Sequence, residues 1–284
     1  MSTNIFSQTS DKTYILVHGA GHGAWCWEKV VPILETKGYK VITLDLPSHG
    51  NDTAQLANVT LEDDVKKVTD AANAIKGKVI LIGHSSGGVV ISQAAELLGA
   101  GKIDKLIYLD AFLPQNGESV FSLAGKIREN NNASSTSQLN KQQPELLIFS
   151  EDKKSCKWNP ELAEQIFYHD CSRQDIAFAK DHLSWQSVAT LATPVHVTDS
   201  VYGVIKKYYI LCTQAKDLDK SSLTSYVHCE KVYKLSSSHS PFFSMPEELV
   251  DIFINWAFFL MIAAFSILMM YKPASELLIL APTS

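Results

Sequence analysis

The 284-residue chain predicts an α/β domain with a mostly parallel central sheet flanked by helices. Three observations predict it. Six short β-rich runs alternate with helical stretches, a Gly-x-Ser-x-Gly turn follows the third run, and the alternation lapses for roughly a hundred residues before the fifth, longer than any ordinary loop. An apolar fraction of 46% with 19% charged residues is that of a globular chain.

The elements follow in order. TYILVH (13–18) is the first apolar run, and AWCWEKVVPILETKG behind it has the spacing of one helical face ending at Gly38. KVITLDL (40–46) and KVILIGH (78–84) are the second and third strands, and VVISQAAELL after the third reads as a helix. KLIYLD (105–110) is the fourth. Beyond it lie a polar stretch, Asn130 to Gln143, and the aromatic segment WNPELAEQIFYHD, so that about 114–200 reads as a helical cap inserted over the site. YYILC (208–212) and KVYKL (231–235) return to the sheet, and MPEELVDIFINW closes the domain at 256 as an amphipathic helix with Asp251 and Asn255 on its wet face.

Several classes are excluded. A net charge of −5 with scattered Lys and Arg leaves no electrostatic footprint for nucleic acid. Five cysteines without a CxxC pair argue against a disulfide framework or zinc ribbon, and free thiols with no basic, apolar leader point to the cytoplasm. Ile252 to Tyr271 carries no charge and has the length of a membrane span. Residues 257–284 therefore fit a tail anchor, a helix buried against the domain or a partner, or a mistranslated extension.

The strongest chemical signal is Gly83-His84-Ser85-Ser86-Gly87, between an apolar strand and a helix. A sharp strand-to-helix turn leaves no room for side chains at its flanks and pushes the serine out above the sheet, the nucleophile elbow of the α/β-hydrolase fold. The helix N-terminus beneath supplies a positive dipole end and the Ser86 N–H for a developing oxyanion. Among nine histidines, His239 stands between the last strand and the last helix, where the order serine, acid, histidine puts the general base. His18-Gly19-Ala20-Gly21-His22-Gly23 follows the first strand, and the Ala20 N–H is the expected second oxyanion donor. His18 and His22 are four apart, but in a glycine loop rather than on a metal-binding helix face. The same stretch, with Gly19, Gly21, Ala24 and Asp45, also satisfies a dinucleotide fingerprint. That reading leaves the elbow and His239 without purpose.

VHGAGHGAWCW (17–27), LDLPSHG (44–50), LIGHSSGG (81–88), LDAFLP (109–114), FYHDCSRQD (167–175) and SHSPFFSMPEEL (238–249) together resemble the plant methylesterase and hydroxynitrile lyase group of α/β-hydrolases, from about Thr13 to Trp256. The resemblance implies hydrolysis of small carboxylic esters, methyl esters among them, through an acyl-enzyme and without cofactor or metal. It also implies that Ala20 and Ser86 form the oxyanion hole. The lyase branch has a lysine after the histidine and a threonine in the oxyanion loop; here those positions hold Ser240 and Gly19, which favours esterase chemistry.

One departure is serious. Where the family carries its acid after the strand YILCT, this chain has Ala215, which cannot orient an imidazolium. Two carboxylates could substitute. Asp217 lies in the same loop, with Asp219 a weaker version of the same idea, and Asp110 ends the strand KLIYLD at a position similar to that of the acid in haloalkane dehalogenases. If neither serves, the chain is a catalytically impaired hydrolase fold that binds a small ligand. Phe121, Trp158, Phe167 and Phe178 of the cap predict an apolar pocket.

Overall fold

A computed structural model of the protein describes residues 12–134 and 146–254. Strand β1 (Thr13–Val17) leads through a 3-10 turn at Ala24–Trp27 to α1 (Val30–Thr36) and β2 (Lys40–Leu44). Helix α2 (Leu61–Ala74), β3 (Val79–His84), α3 (Gly87–Lys102) and β4 (Ile103–Leu109) follow. Then comes the insertion: α4 (Val120–Ser134), β5 (Leu147–Phe149), β6 (Ser155–Trp158), α5 (Pro160–Phe167), α6 (Arg173–His182), β7 (Gln186–Ser187) and α7 (Val188–Ala192). Strands β8 (Lys207–Cys212) and β9 (Lys231–Leu235) rejoin the sheet before α8 (Pro241–Ser244) and α9 (Pro246–Ile254).

The six expected runs form one parallel sheet in the order β2-β1-β3-β4-β8-β9. Both faces are covered, so alternate residues of a strand enter opposite cores. Ile15, Val17, Leu81 and Tyr108 pack on one side with Leu61, Val65 and Val68 of α2. Leu16, Ile82 and Ile107 pack on the other with Leu34 of α1, Phe242 of α8 and Leu249 of α9. Strand order reverses between β1 and β3, the place where open α/β sheets leave a crevice at their carboxyl edge. Every loop discussed below emerges from that edge.

The insertion is not purely helical. β5, β6 and β7 form a small antiparallel sheet, and the short helices are set by side-chain caps: Asn159 accepts the Glu161 N–H, and Ser172 the Asp175 N–H, both at 3.1 Å. The last helix ends its described length at Ile254 with Asp251 exposed as expected. Asn255 and the apolar extension 257–284 lie outside the described residues, as does most of the polar stretch 130–143. No helix among the described residues is long and apolar enough to cross a membrane. All five cysteines are unpaired.

Candidate active site

Ser85 occupies a tight turn between β3 and α3 with a left-handed backbone, φ 54°, a conformation costly for a non-glycine residue unless its surroundings enforce it. They do. The Ser85 N–H donates to Leu109 O (3.3 Å), and its carbonyl accepts from Phe112 and Gly88 N–H (3.0 and 3.1 Å). Side chains are barred at the turn's flanks: a Cβ on Gly83 would stand 2.6 Å from Gly87 O, and one on Gly87 2.7 Å from His18 O. Ser85 is thereby presented at the floor of a cavity of about 480 Å³.

Ala20 and Ser86 line the same floor. Among the described residues neither of their N–H groups meets an acceptor, while the Ala20 carbonyl, turned away, accepts from His22 Nδ1 (3.0 Å) and Trp158 Nε1 (2.7 Å). The loop is braced by neutral imidazoles. His18 Nδ1–H donates to Gly19 O at 2.8 Å and its Nε2 accepts the Leu46 N–H at 3.0 Å, while His22 Nε2 accepts the Tyr168 hydroxyl at 2.8 Å. Burial lowers His22 to about 4, against the opposing pull of its bond to Ala20 O, and holds His18 and His84 well below the ordinary imidazole value. His84 Nε2–H donates to the His239 carbonyl at 2.9 Å, tying the elbow to the loop after β9.

His239 is 2% exposed. Its Nδ1 lies 2.6 Å from Asp110 Oδ2; since a carboxylate only accepts, Nδ1 carries the proton and Nε2 is the free nitrogen. Asp110, at the end of β4 with φ 41°, also accepts the Cys212 N–H at Oδ1 (3.2 Å) and the Lys220 ammonium at Oδ2 (3.0 Å). Lys220 is fully buried and reaches Asp217 Oδ2 at 2.5 Å. Burial alone would push the Asp110 carboxyl up, but Lys220 and the His239 bond outweigh it and hold it below the ordinary value. Burial likewise works against the Lys220 charge, and the two carboxylates reverse this and raise it.

The two expected acids sit differently. Asp217, in the loop after β8, has its nearer oxygen 3.7 Å from His239 Nδ1 and gives the other to Lys220; Asp110 makes the short contact. Asp219 faces elsewhere and caps the 3-10 segment Lys220–Ser225 through the Ser221 N–H. Asp110, Asp217 and His239 offer ligand atoms within 4.8 Å of one another, but a cation already stands between the carboxylates as the Lys220 ammonium. The dinucleotide reading fails on Asp45, whose oxygens accept the Ala24 and Asn51 N–H groups at 2.7 and 3.0 Å, and on the Gly21 turn, which the cap covers through Gln186 and Ser184.

The cavity walls are apolar, with Phe121, Leu147 and Trp158 from the cap and Phe112 from below; Arg128 and Asp217 are its charged members. Phe167 and Phe178 do not line it. Phe167 packs at a tilt against His239 at 5.6 Å, and Phe178 packs on Trp25 and His182. Sequence reasoning missed Lys220, whose sole local signal is Asp217 three residues earlier, and Asp170, which accepts the Ser238 N–H at 2.7 Å and fastens the His239 loop to the cap.

Known proteins resemble the chain over most of its described length. The model of the alpha/beta hydrolase family matches residues 14–252. Salicylic acid-binding protein 2 of Nicotiana tabacum is 32% identical over 215 residues, 73% of this chain and 80% of that protein. Putative methylesterase 15, chloroplastic, of Arabidopsis thaliana is 31% identical over 256 residues, 86% of this chain. The chain spans only 56–63% of the length of that protein and two similar chloroplastic relatives. Among solved structures, polyneuridine aldehyde esterase superposes with a TM-score of 0.74 at 24% identity, covering 87% of this chain and 99% of that one. The chain belongs to the alpha/beta hydrolase family, within its plant methylesterase-like group.

Proposed function

We propose that the protein is a serine carboxylesterase acting on small carboxylic esters, methyl esters among them, through an acyl-enzyme. His239 Nε2 takes the Ser85 proton, the alkoxide adds to the ester carbonyl, and the Ala20 and Ser86 N–H groups receive the oxyanion. The same imidazole returns the proton to the leaving alcohol, and water releases the acid by the reverse steps. Asp110 fixes the Nδ1–H tautomer and stabilises the imidazolium. The scheme calls on no cofactor. The observation that carries the reading is the buried 2.6 Å contact of His239 with Asp110, which answers the alanine at 215. The apolar cavity of about 480 Å³ fits a small ester with a hydrocarbon or aryl acyl group, and the relatives named as methylesterases support the ester class.

The test is turnover of a panel of aryl and methyl esters by wild type, Ser85→Ala, Asp110→Asn and Asp217→Asn, with fluorophosphonate labelling of Ser85 alongside. Turnover abolished by Ser85→Ala and cut far more by Asp110→Asn than by Asp217→Asn is expected. A folded wild type that neither turns over any ester nor labels would leave a small-ligand binding protein on a hydrolase scaffold.

A further inference from the structure

Lys220 has no part in the chemistry just described, yet its charge is wholly buried beside the His239 site. Its side chain is 0% exposed. A buried ammonium survives only where its charge is matched and its donors are used, and here Nζ contacts Asp110 Oδ2 at 3.0 Å, Asp217 Oδ2 at 2.5 Å and Leu218 O at 3.5 Å. The groups around it contribute no other formal charge. Cys212, at the end of β8, is a thiol kept protonated by burial. Tyr209 spends its hydroxyl on Ala111 O, and His84 is held neutral by burial. Two carboxylates and one ammonium leave one net negative charge facing one imidazole.

We propose that Lys220 is a positioning residue that, paired with Asp217, sets the net charge beside His239 at a single negative unit and so lets a carboxylate at the end of β4 do the work of the one absent at Ala215. The inference rests on the reading of Asp110 as the acid of the triad. Without Lys220, two carboxylates crowd the Nδ1 edge of one imidazole, doubling the negative charge there and repelling each other. Without Asp217, the ammonium draws on Asp110 alone, competes with His239 for Oδ2, and leaves no net anion to balance an imidazolium. Each single removal therefore unbalances the site, and removal of both restores one carboxylate against one imidazole.

The expected signature is a rescue between two damaging substitutions. Lys220→Met and Asp217→Asn should each lower kcat, on the order of 10²-fold for the lysine as for other displaced catalytic geometries, with KM little changed for Lys220→Met because Lys220 does not line the cavity. The double variant Lys220→Met/Asp217→Asn should be at least about tenfold faster than Lys220→Met and faster than Asp217→Asn. The acid limb of kcat/KM against pH should shift in Asp217→Asn and return in the double. If Lys220→Met does not fold, the comparison of the double with Asp217→Asn alone decides the matter. A double variant no faster than Asp217→Asn overturns the proposal and makes Lys220 a packing element only. Asp110→Asn retaining the wild-type rate overturns instead the acid assignment beneath it. Should ester turnover be too slow to read, the rate of fluorophosphonate labelling of Ser85 across the same variants reports the same ranking, and absence of labelling in wild type removes both readings together.

Discussion

The two sides of Ser85 are held by opposite means. On the oxyanion side, the Ala20 loop is braced by imidazoles that burial keeps neutral, His18 and His22, with Tyr168 and Trp158 completing the hydrogen bonds. On the base side, His239 is held by Asp110, Lys220 and Asp217, a buried cluster of formal charges. Under the proposed mechanism the difference follows from what each side must do. A loop that presents N–H dipoles to a transient oxyanion needs rigid geometry and no competing anion, whereas an imidazole that becomes a cation during reaction needs a fixed negative charge beside it. Rigidity can be bought with neutral bonds; charge stabilisation cannot.

The comparison is broken most severely by neutralising the charged side. Asp110→Asn keeps the shape of the carboxylate but offers His239 Nδ1 an amide that can impose the wrong tautomer, and a loss of roughly 10⁴-fold in kcat is expected. Stopped-flow or steady-state ester hydrolysis on folded variant checks it. A loss under tenfold would mean that Asp217, at 3.7 Å, takes over the role.

Acid separates the two sides by pH. His22 has an ordinary value of 6.5 and sits at about 4 in the folded protein, so between those values the unfolded chain binds a proton that the native protein excludes, and stability falls as pH falls. One such group costs about 1.4 kcal/mol per pH unit, or about 3 kcal/mol by pH 4; His18 and His84 act in the same direction. Asp110 acts in the same direction but at lower pH: because its carboxyl is held below its ordinary value of 3.8, its stabilisation is complete above that value and is lost as pH falls from there through the folded value. Urea unfolding at pH 7, 6 and 5 should therefore show a loss, and His22→Asn should make it shallower by the share of one imidazole. A pH-independent unfolding free energy over that window would mean that the imidazoles of the loop reach water.

Legibility in the sequence divides along a related line. The sheet was readable because its central strands, β1 and β3 above all, are buried on both faces and so appear as continuous apolar runs, with the more exposed edge strands β2 and β9 following in the same alternation with helices. The elbow was readable because its requirements are met within five residues. The proposed acid was not, since the contact that marks it joins residues 129 apart, and a carboxylate after β4 or after β8 reaches the same point at the sheet edge. Lys220 was not legible because a lysine in the mostly polar run Lys216 to Ser222 reads as part of a solvated turn; only the fold shows it buried. The cap strands β5 and β7, three and two residues long, are too short for any periodicity to register, so the insertion reads as helical. Phe167 and Phe178 were assigned to the pocket on composition, yet aromatic residues serve equally to seat the His239 loop and the Trp25 turn.

The mildest perturbation sharpens the comparison most finely. Trp158 of the cap donates to the oxyanion loop through Nε1 to Ala20 O at 2.7 Å, while its ring packs edge-on against Phe167 at 4.7 Å. Trp158→Phe keeps the ring contact and deletes the hydrogen bond. Because His22 Nδ1 still holds the same carbonyl, the loss should be that of one ordinary hydrogen bond, about 1 kcal/mol, or a fall of about 2–4 °C in Tm for a domain of this size. The rate should drop less than about tenfold, since both oxyanion donors remain and only their aim loosens. Calorimetry and ester kinetics on the variant measure the two quantities. A rate loss near that of Asp110→Asn would show that the cap, rather than the buried imidazoles, sets the oxyanion geometry, and the neutral side would then be held from above instead of from within.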